Sequence, residues 1–195
     1  MNGMKAMGTG AKVLIALAVV AVILVVVCVG IYNGLVSSET TVDNAFANID
    51  VQLQRRNDLI PNLVNTVQGY AAHEQEVIGQ VTEARARMMS AGTVDEKIAA
   101  DGELSSALSR LLAISEAYPD LKANENFLSL QDELAGTENR IAVSRKDYND
   151  AVMVYNKKLR TFPNNLLAGM FGFEKRNAFT ASPGASQVPQ VSFNG

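Results

Sequence analysis

Residues 51–74 read VQLQRRNDLIPNLVNTVQGYAAHE and form the middle of a long apolar stripe. The stripe advances by alternating steps of four and three residues from Val42 to Met88. Such spacing puts the residues on one face of an α-helix, in a seam suited to coiled-coil packing. It predicts one helix of about 50 residues, roughly 75 Å long. The seam positions are Val42, Phe46, Ile49, Leu53, Arg56, Ile60, Leu63, Val67, Tyr70, Glu74, Val77, Val81, Ala84 and Met88.

A proline lies inside this predicted helix, at position 61. Proline lacks the backbone N–H, and its ring crowds the carbonyl four residues earlier, which belongs to Asn57. The apolar spacing nevertheless keeps its phase from Leu53 to Val67. We therefore predict that Pro61 bends the helix and does not end it.

The polar residues just before the proline, Arg55, Arg56, Asn57 and Asp58, admit two interpretations. In the structural one, Arg56 packs its stem in the seam and pairs its guanidinium with a carboxylate of a neighbouring helix, which fixes the alignment of the helices. Arg55, Arg56 or Asp58 would then satisfy or align the carbonyl that Pro61 frees. In the functional one, the cluster binds a partner or an anionic group. The spacing favours the structural interpretation.

A second helix is predicted to begin after Gly92. Thr93 and Glu96 have the spacing of a capping box, in which a hydroxyl and a carboxylate bind the free N–H groups of the first turn. This helix should end near Tyr118, because Pro119 disfavours helical geometry in the residue before it.

A third helix is predicted from about Glu125 to Arg160. Asn149 and Asn156 lie two turns apart on it, and we expect them to make interhelical hydrogen bonds. No stretch shows the sustained alternation of a β-strand, so the predicted fold class is all-α, with three main helices and a short C-terminal one. The inner face of the third helix is predicted to comprise Phe127, Leu130, Leu134, Thr137, Ile141, Tyr148, Val152, Tyr155 and Leu159.

A short apolar segment follows Pro163 and should form a brief helix and turn. It either caps the open end of the bundle or contacts the membrane or another subunit. Its apolar residues are Leu166, Leu167, Met170, Phe171 and Phe173.

Val13–Tyr32 contains no charged residue and is long enough to span a bilayer as a helix. We predict an uncleaved transmembrane anchor over residues 13–32, since the run exceeds the apolar core of a cleaved signal peptide and no A-x-A site follows. Lys5 and Lys12 precede it, which predicts a cytoplasmic tail and an extracytoplasmic remainder. All 20 acidic residues and 15 of the 17 basic residues follow the anchor, a balance that does not favour nucleic acid.

Candidate catalytic and metal-binding residues are scarce. His73 is the single histidine, and a zinc site on a helix would need a second His or Cys one turn away. No nucleophile motif lies near it, and AGMFGF lacks the lysine of a phosphate-binding loop. We expect no catalytic residue, no metal and no cofactor.

Four stretches resemble the LemA family of bacterial membrane proteins in order and spacing: IDVQLQRRNDLIPNLVNTVQGYAAHE, EAYPDLKANENFLSLQDEL, TENRIAVSRKDYNDAVMVYN and FPNNLLAGMFGF. The resemblance implies a single N-terminal anchor, an antiparallel bundle of long helices and no established enzymatic activity. The expected organisation is a tail over 1–12, the anchor over 13–32, a LemA-like bundle over 33–179 and a disordered tail over 180–195.

These observations predict a single-pass protein of the bacterial inner (cytoplasmic) membrane that acts as a non-enzymatic scaffold or adaptor of the cell envelope. Its expected partners are the lipid bilayer, through residues 13–32, and either further copies of itself or envelope proteins. The alternative is a ligand-binding or enzymatic module that uses the polar residues of 55–58.

Overall fold

A computed structural model describes residues 9–179, and within this range the chain forms helices and turns with no strand. The predicted all-α class is therefore confirmed. Residues 1–8 and the predicted tail over 180–195 lie outside the described range. The helices are α1 (Thr9–Tyr70), α2 (Gln75–Ser90), α3 (Val94–Ile114), α4 (Pro119–Lys122), α5 (Glu125–Arg160) and α6 (Asn164–Phe171), with a 3-10 turn over Ser115–Ala117.

The described residues divide into two compact units. The first combines residues 9–42 with residues 153–176, and the second combines residues 43–152 with residues 177–179. The long helices α1 and α5 each contribute to both units.

The first unit contains one helical stretch long and apolar enough to cross a membrane, in the N-terminal part of α1. Its most apolar window has a mean hydropathy of 3.4, and none of that window is buried within the protein. Further along α1, Leu35 and Val42 are buried. The end of α5 lies beside this part of α1, since Lys158 Nζ donates to Ser38 Oγ and to the Gly34 carbonyl.

The predicted single helix from Val42 to Met88 is wrong in one respect: the chain reverses within it. Helix α1 ends at Tyr70, a turn follows, and α2 begins at Gln75. Around the turn the buried positions shift by one residue, since Ala71 and Ile78 are buried where the seam predicted Tyr70 and Val77; Val81, Ala84 and Met88 are buried as predicted. Each of the two helices needs its own apolar stripe, so the spacing of three and four residues continues on both sides of the reversal.

Contacts between side chains show that successive helices of the second unit run antiparallel. Between α2 and α3, Arg87 pairs with Glu103 and Gln80 accepts from Arg110, so rising numbers on one helix meet falling numbers on the other. The antiparallel bundle is confirmed. Its core contains Ile49, Leu53, Ile60, Leu63, Val67, Val81, Leu104, Leu108, Leu111, Leu121, Phe127, Leu134, Ile141 and Tyr148.

Several local predictions are confirmed. Pro61 lies within α1 and does not end it, and α5 spans Glu125–Arg160. The capping box of α3 is present: Thr93 Oγ1 accepts from the Glu96 N–H at 3.2 Å, and the Glu96 carboxylate accepts from the Thr93 N–H at 3.0 Å. Pro119 occupies the first turn of α4, where its missing N–H costs no helical hydrogen bond.

Candidate functional site

Arg56 lies at the centre of the second unit, with none of its surface exposed. Its Nη2 donates to Asp101 Oδ1 of α3 at 2.6 Å, and its Nη1 donates to Glu138 Oε1 of α5 at 2.7 Å. Nη1 also donates to Ser105 Oγ at 3.0 Å. One side chain of α1 therefore connects α1 to both α3 and α5.

The Asp101 carboxylate is shared between two guanidinium groups. Its second oxygen, Oδ2, accepts from Nη2 of Arg145 on α5. Asp101 is almost completely buried, whereas Glu138 and Arg145 are partly exposed. We call Arg56, Asp101, Glu138 and Arg145 the charge cluster. Two cations and two anions leave it with no formal net charge, as burial in a region of low dielectric requires.

The residues adjoining Arg56 in sequence do not join it in a common pocket. Arg55 and Asp58 are exposed, and Asp58 Oδ1 accepts from Gln54 Nε2 at 2.8 Å on the surface of α1. Asn57 is buried, and its Oδ1 has no hydrogen-bond partner among the described residues. The run 55–58 thus points in several directions, as consecutive helical residues must.

The backbone carbonyl that Pro61 frees is satisfied by α2. Arg85 Nε donates to the Asn57 carbonyl oxygen at 3.0 Å. Sequence reasoning assigned this role to Arg55, Arg56 or Asp58 and missed Arg85. Arg85 reaches this carbonyl because the chain reverses near Ala71, which lies midway between residues 57 and 85.

Residues 177–179, which belong to the second unit, lie beside the charge cluster. The Phe179 ring lies 5.5 Å from the Arg145 guanidinium carbon and 5.5 Å from the Tyr148 ring. Asn149 of α5 holds this segment by two hydrogen bonds, donating to the Phe179 carbonyl at 3.0 Å and accepting from the Phe179 N–H at 2.9 Å. In addition, Tyr148 donates to the Asn177 carbonyl at 2.9 Å.

The expected interhelical hydrogen bonds of Asn149 and Asn156 are a wrong prediction. In the first unit, Asn156 makes the same pair of bonds with the backbone of Arg176, at 2.9 Å and 3.1 Å. Each asparagine therefore binds the backbone of one residue without regular secondary structure, and the reason is chemical: a side-chain amide presents both a donor and an acceptor.

Cavities near the charge cluster are small. A groove of about 260 Å³ between α3 and α5 is bordered by Ser105 and Glu138, and one of about 140 Å³ is bordered by Asp50, Asn57 and Lys97. Ligand sites commonly enclose about 300–1,000 Å³. The arrangement is suited to joining helices, because both terminal nitrogens of Arg56, Nη1 and Nη2, donate to side chains of neighbouring helices, although its Nε has no partner among the described residues.

The other predicted residues lie apart from this cluster. His73 is exposed in the turn between α1 and α2, and residues 9–179 contain no group of three His, Cys, Asp or Glu side chains arranged to hold a metal ion. In the first unit, α6 buries Ala168 and exposes Leu166, Met170 and Phe171, while Leu167 and Phe173 are partly buried.

A helical bundle whose central polar residues bind one another, continuous with a helix apolar enough to cross a membrane, defines a class of membrane-anchored helical proteins. Within that class the chain belongs to the LemA family, whose family model matches residues 45–193.

Two relatives are magnetosome proteins by name. MamQ 2 of Paramagnetospirillum magneticum is 28% identical over 187 residues, covering 83% of this chain and 68% of the relative. MamQ of Magnetospirillum gryphiswaldense is 26% identical with the same coverage. Protein LemA of Metamycoplasma hominis is 26% identical over 160 residues, covering 80% of this chain and 72% of the relative.

Proposed function

We propose that this chain is a non-enzymatic scaffold or adaptor of the bacterial cell envelope. The observation that carries the proposal is the burial of Arg56, whose guanidinium is bound by Asp101, Glu138 and Ser105. A site in which this arginine bound an anionic ligand would need a guanidinium that the ligand can reach. Here the arginine of the predicted seam is used to hold three helices together.

The alternative, a ligand-binding or enzymatic module around residues 55–58, receives less support from the same geometry. Arg55 and Asp58 are exposed on the surface of α1, and the adjoining grooves are smaller than usual ligand sites. A scaffold, by contrast, needs long helices with exposed faces, which α1 and α5 supply.

The proposed location is the inner (cytoplasmic) membrane, with the helical bundle outside the cytoplasm. Lys5 and Lys12 precede the apolar segment, and Glu39 and Asp43 follow it, which is the charge asymmetry that favours this orientation. In a cell with two membranes, added protease should leave the bundle intact in whole cells and digest it in spheroplasts. Protection in spheroplasts would place the bundle in the cytoplasm.

The proposed partners are further copies of the chain or other envelope proteins, held by the faces of α1 and α5. Val51 and Val143 are exposed apolar residues on these two helices, and Glu83 is an exposed position on the short helix α2. A photo-reactive amino acid at Val51 or Val143 should cross-link the chain in native membranes into a complex of defined mass, and one at Glu83 should do so less. Recovery of the monomer alone from all three positions would contradict a scaffold.

A further inference from the structure

Helix α6 and Phe162, just before it, expose large apolar side chains. Phe162 and Met170 are each 76% exposed and Leu166 is 60% exposed, and the three follow one another at intervals of four residues. Leu166 and Met170 lie about one turn apart within α6 and share one side of it, whereas Phe162 lies two residues before α6 begins. The small residue Ala168 forms the buried side of α6. The side chains of Leu166 and Met170 thus point away from the protein.

The position of this face is fixed by Tyr32. The Phe171 ring lies 5.0 Å and the Phe173 ring 5.7 Å from the Tyr32 ring, both edge to face. Tyr32 is the last residue of the predicted anchor over residues 13–32, and the polar residue Asn33 follows it. Tyrosine is enriched where a transmembrane helix leaves the bilayer. Helix α6 therefore lies beside the level at which α1 emerges from the membrane.

The charge around α6 is opposite to that of the whole chain. Residues 157–176 contain five basic residues and one acidic residue, Glu174, although the chain carries a formal net charge of −3. Lys157, Arg160 and Lys175 are exposed. Exposed apolar residues flanked by basic ones are the pattern of a helix that lies in the interface of an anionic bilayer.

We propose that α6 is a second membrane contact. The side chains of Phe162, Leu166 and Met170 enter the leaflet from which α1 emerges, and the flanking basic residues bind the phosphates of anionic phospholipids. The contact is continuous with the anchor, because Tyr32 touches the end of α6. It holds the first unit against the membrane surface. This inference does not depend on the scaffold role.

Spin labels on the full-length chain test the contact directly. Cys28 is the only cysteine, so Cys28→Ala gives a background into which Met170→Cys or Met89→Cys places one nitroxide. Met89 is the matched control, since it is an exposed methionine of α2 in the other unit and lies outside the proposed partner faces of α1 and α5. In vesicles of phosphatidylethanolamine and phosphatidylglycerol, oxygen dissolved in the bilayer should relax the label at 170 several-fold more than a water-soluble nickel chelate does. The label at 89 should show the reverse order.

Two outcomes would overturn the proposal. The label at 170 could be as accessible to nickel as the label at 89, or it could be shielded from both reagents, as contact with a second copy would produce. The triple variant K157Q/R160Q/K175Q tests the phosphate contact by removing three basic side chains. The relaxation of the label at 170 by oxygen, relative to its relaxation by nickel, should fall in this variant. It should fall similarly in the unchanged protein when phosphatidylcholine replaces both lipids. An unchanged ratio in the triple variant would remove anionic headgroups from the proposal.

Discussion

Replacing Arg56 by alanine should strongly destabilise the second unit, whereas the same change at its neighbour Arg55 should not. The two arginines are a matched pair on one helix: Arg56 is fully buried and Arg55 is exposed. Removing one member of a buried ion pair costs about 3–5 kcal/mol, because the other charge stays buried. Asp101 keeps Arg145 in the Arg56→Ala variant, and Glu138 can turn to water, so we expect the lower part of this range, about 3–4 kcal/mol.

The Arg55→Ala variant should change the free energy of unfolding by less than about 0.5 kcal/mol, as surface substitutions usually do. Urea titration of the full-length chain in detergent micelles, followed by far-ultraviolet circular dichroism, would measure both variants. Hydrogen exchange of α3 would locate the loss, because Asp101 and Ser105 lie there. Equal effects of the two substitutions would refute the argument that Arg56 connects the helices.

Three further predictions concern contacts outside the charge cluster. The Arg85→Ala change should lower the free energy of unfolding by about 1–2 kcal/mol in the native sequence. It should lower it less in a Pro61→Ala background, because the N–H gained at position 61 can then donate to the Asn57 carbonyl. Equal losses in the two backgrounds of this double-mutant cycle would reject the assignment. The Asn149→Ala change should speed hydrogen exchange of the Phe179 N–H, because this N–H loses its acceptor. The control is Asn126→Ala, at an exposed position of α5, which should leave that exchange rate unchanged. The backbone N–H groups of Thr93 and Gly92 lower the pKa of Glu96 below 4.5. The charged form therefore contributes stability that is lost as the pH falls from that value through the lowered pKa. In urea titrations at a series of pH values, Glu96→Gln should reduce the dependence of the free energy of unfolding on pH in this range. The same pH dependence in the native chain and the variant would disprove it.

Local signals accounted for much of the fold. The capping box at Thr93 and Glu96, the N1 proline at Pro119 and the apolar stripe of α5 each act within a few residues, so their consequences could be predicted from the sequence. The reversal after Tyr70 could not. Residues 71–74 read AAHE and contain neither glycine nor proline, and the apolar spacing resumes in α2.

The partners of Arg56 depend on tertiary structure, yet a signal for them was present. Asp101 lies between Ile98 and Leu104 in the stripe of α3, and Arg145 lies between Ile141 and Tyr148 in the stripe of α5. Charged residues of opposite sign at core positions of different helices indicate an internal ion pair. The bonds of Arg85 and Phe179 had no such signal, because each joins a side chain to a backbone group.

The most direct test of the account replaces the central charges without removing the fold. Exchanging a buried ion pair for apolar residues of similar volume is often neutral or stabilising, and Arg145, which is partly exposed, can turn to water once Asp101 is gone. The variant Arg56→Met/Asp101→Leu should therefore unfold at a urea concentration near that of the native chain. Cross-linking in native membranes, followed by mass spectrometry, should recover the same complexes from both. Loss of these complexes at unchanged stability would show that the charges themselves bind a partner or ligand, and would contradict their structural role.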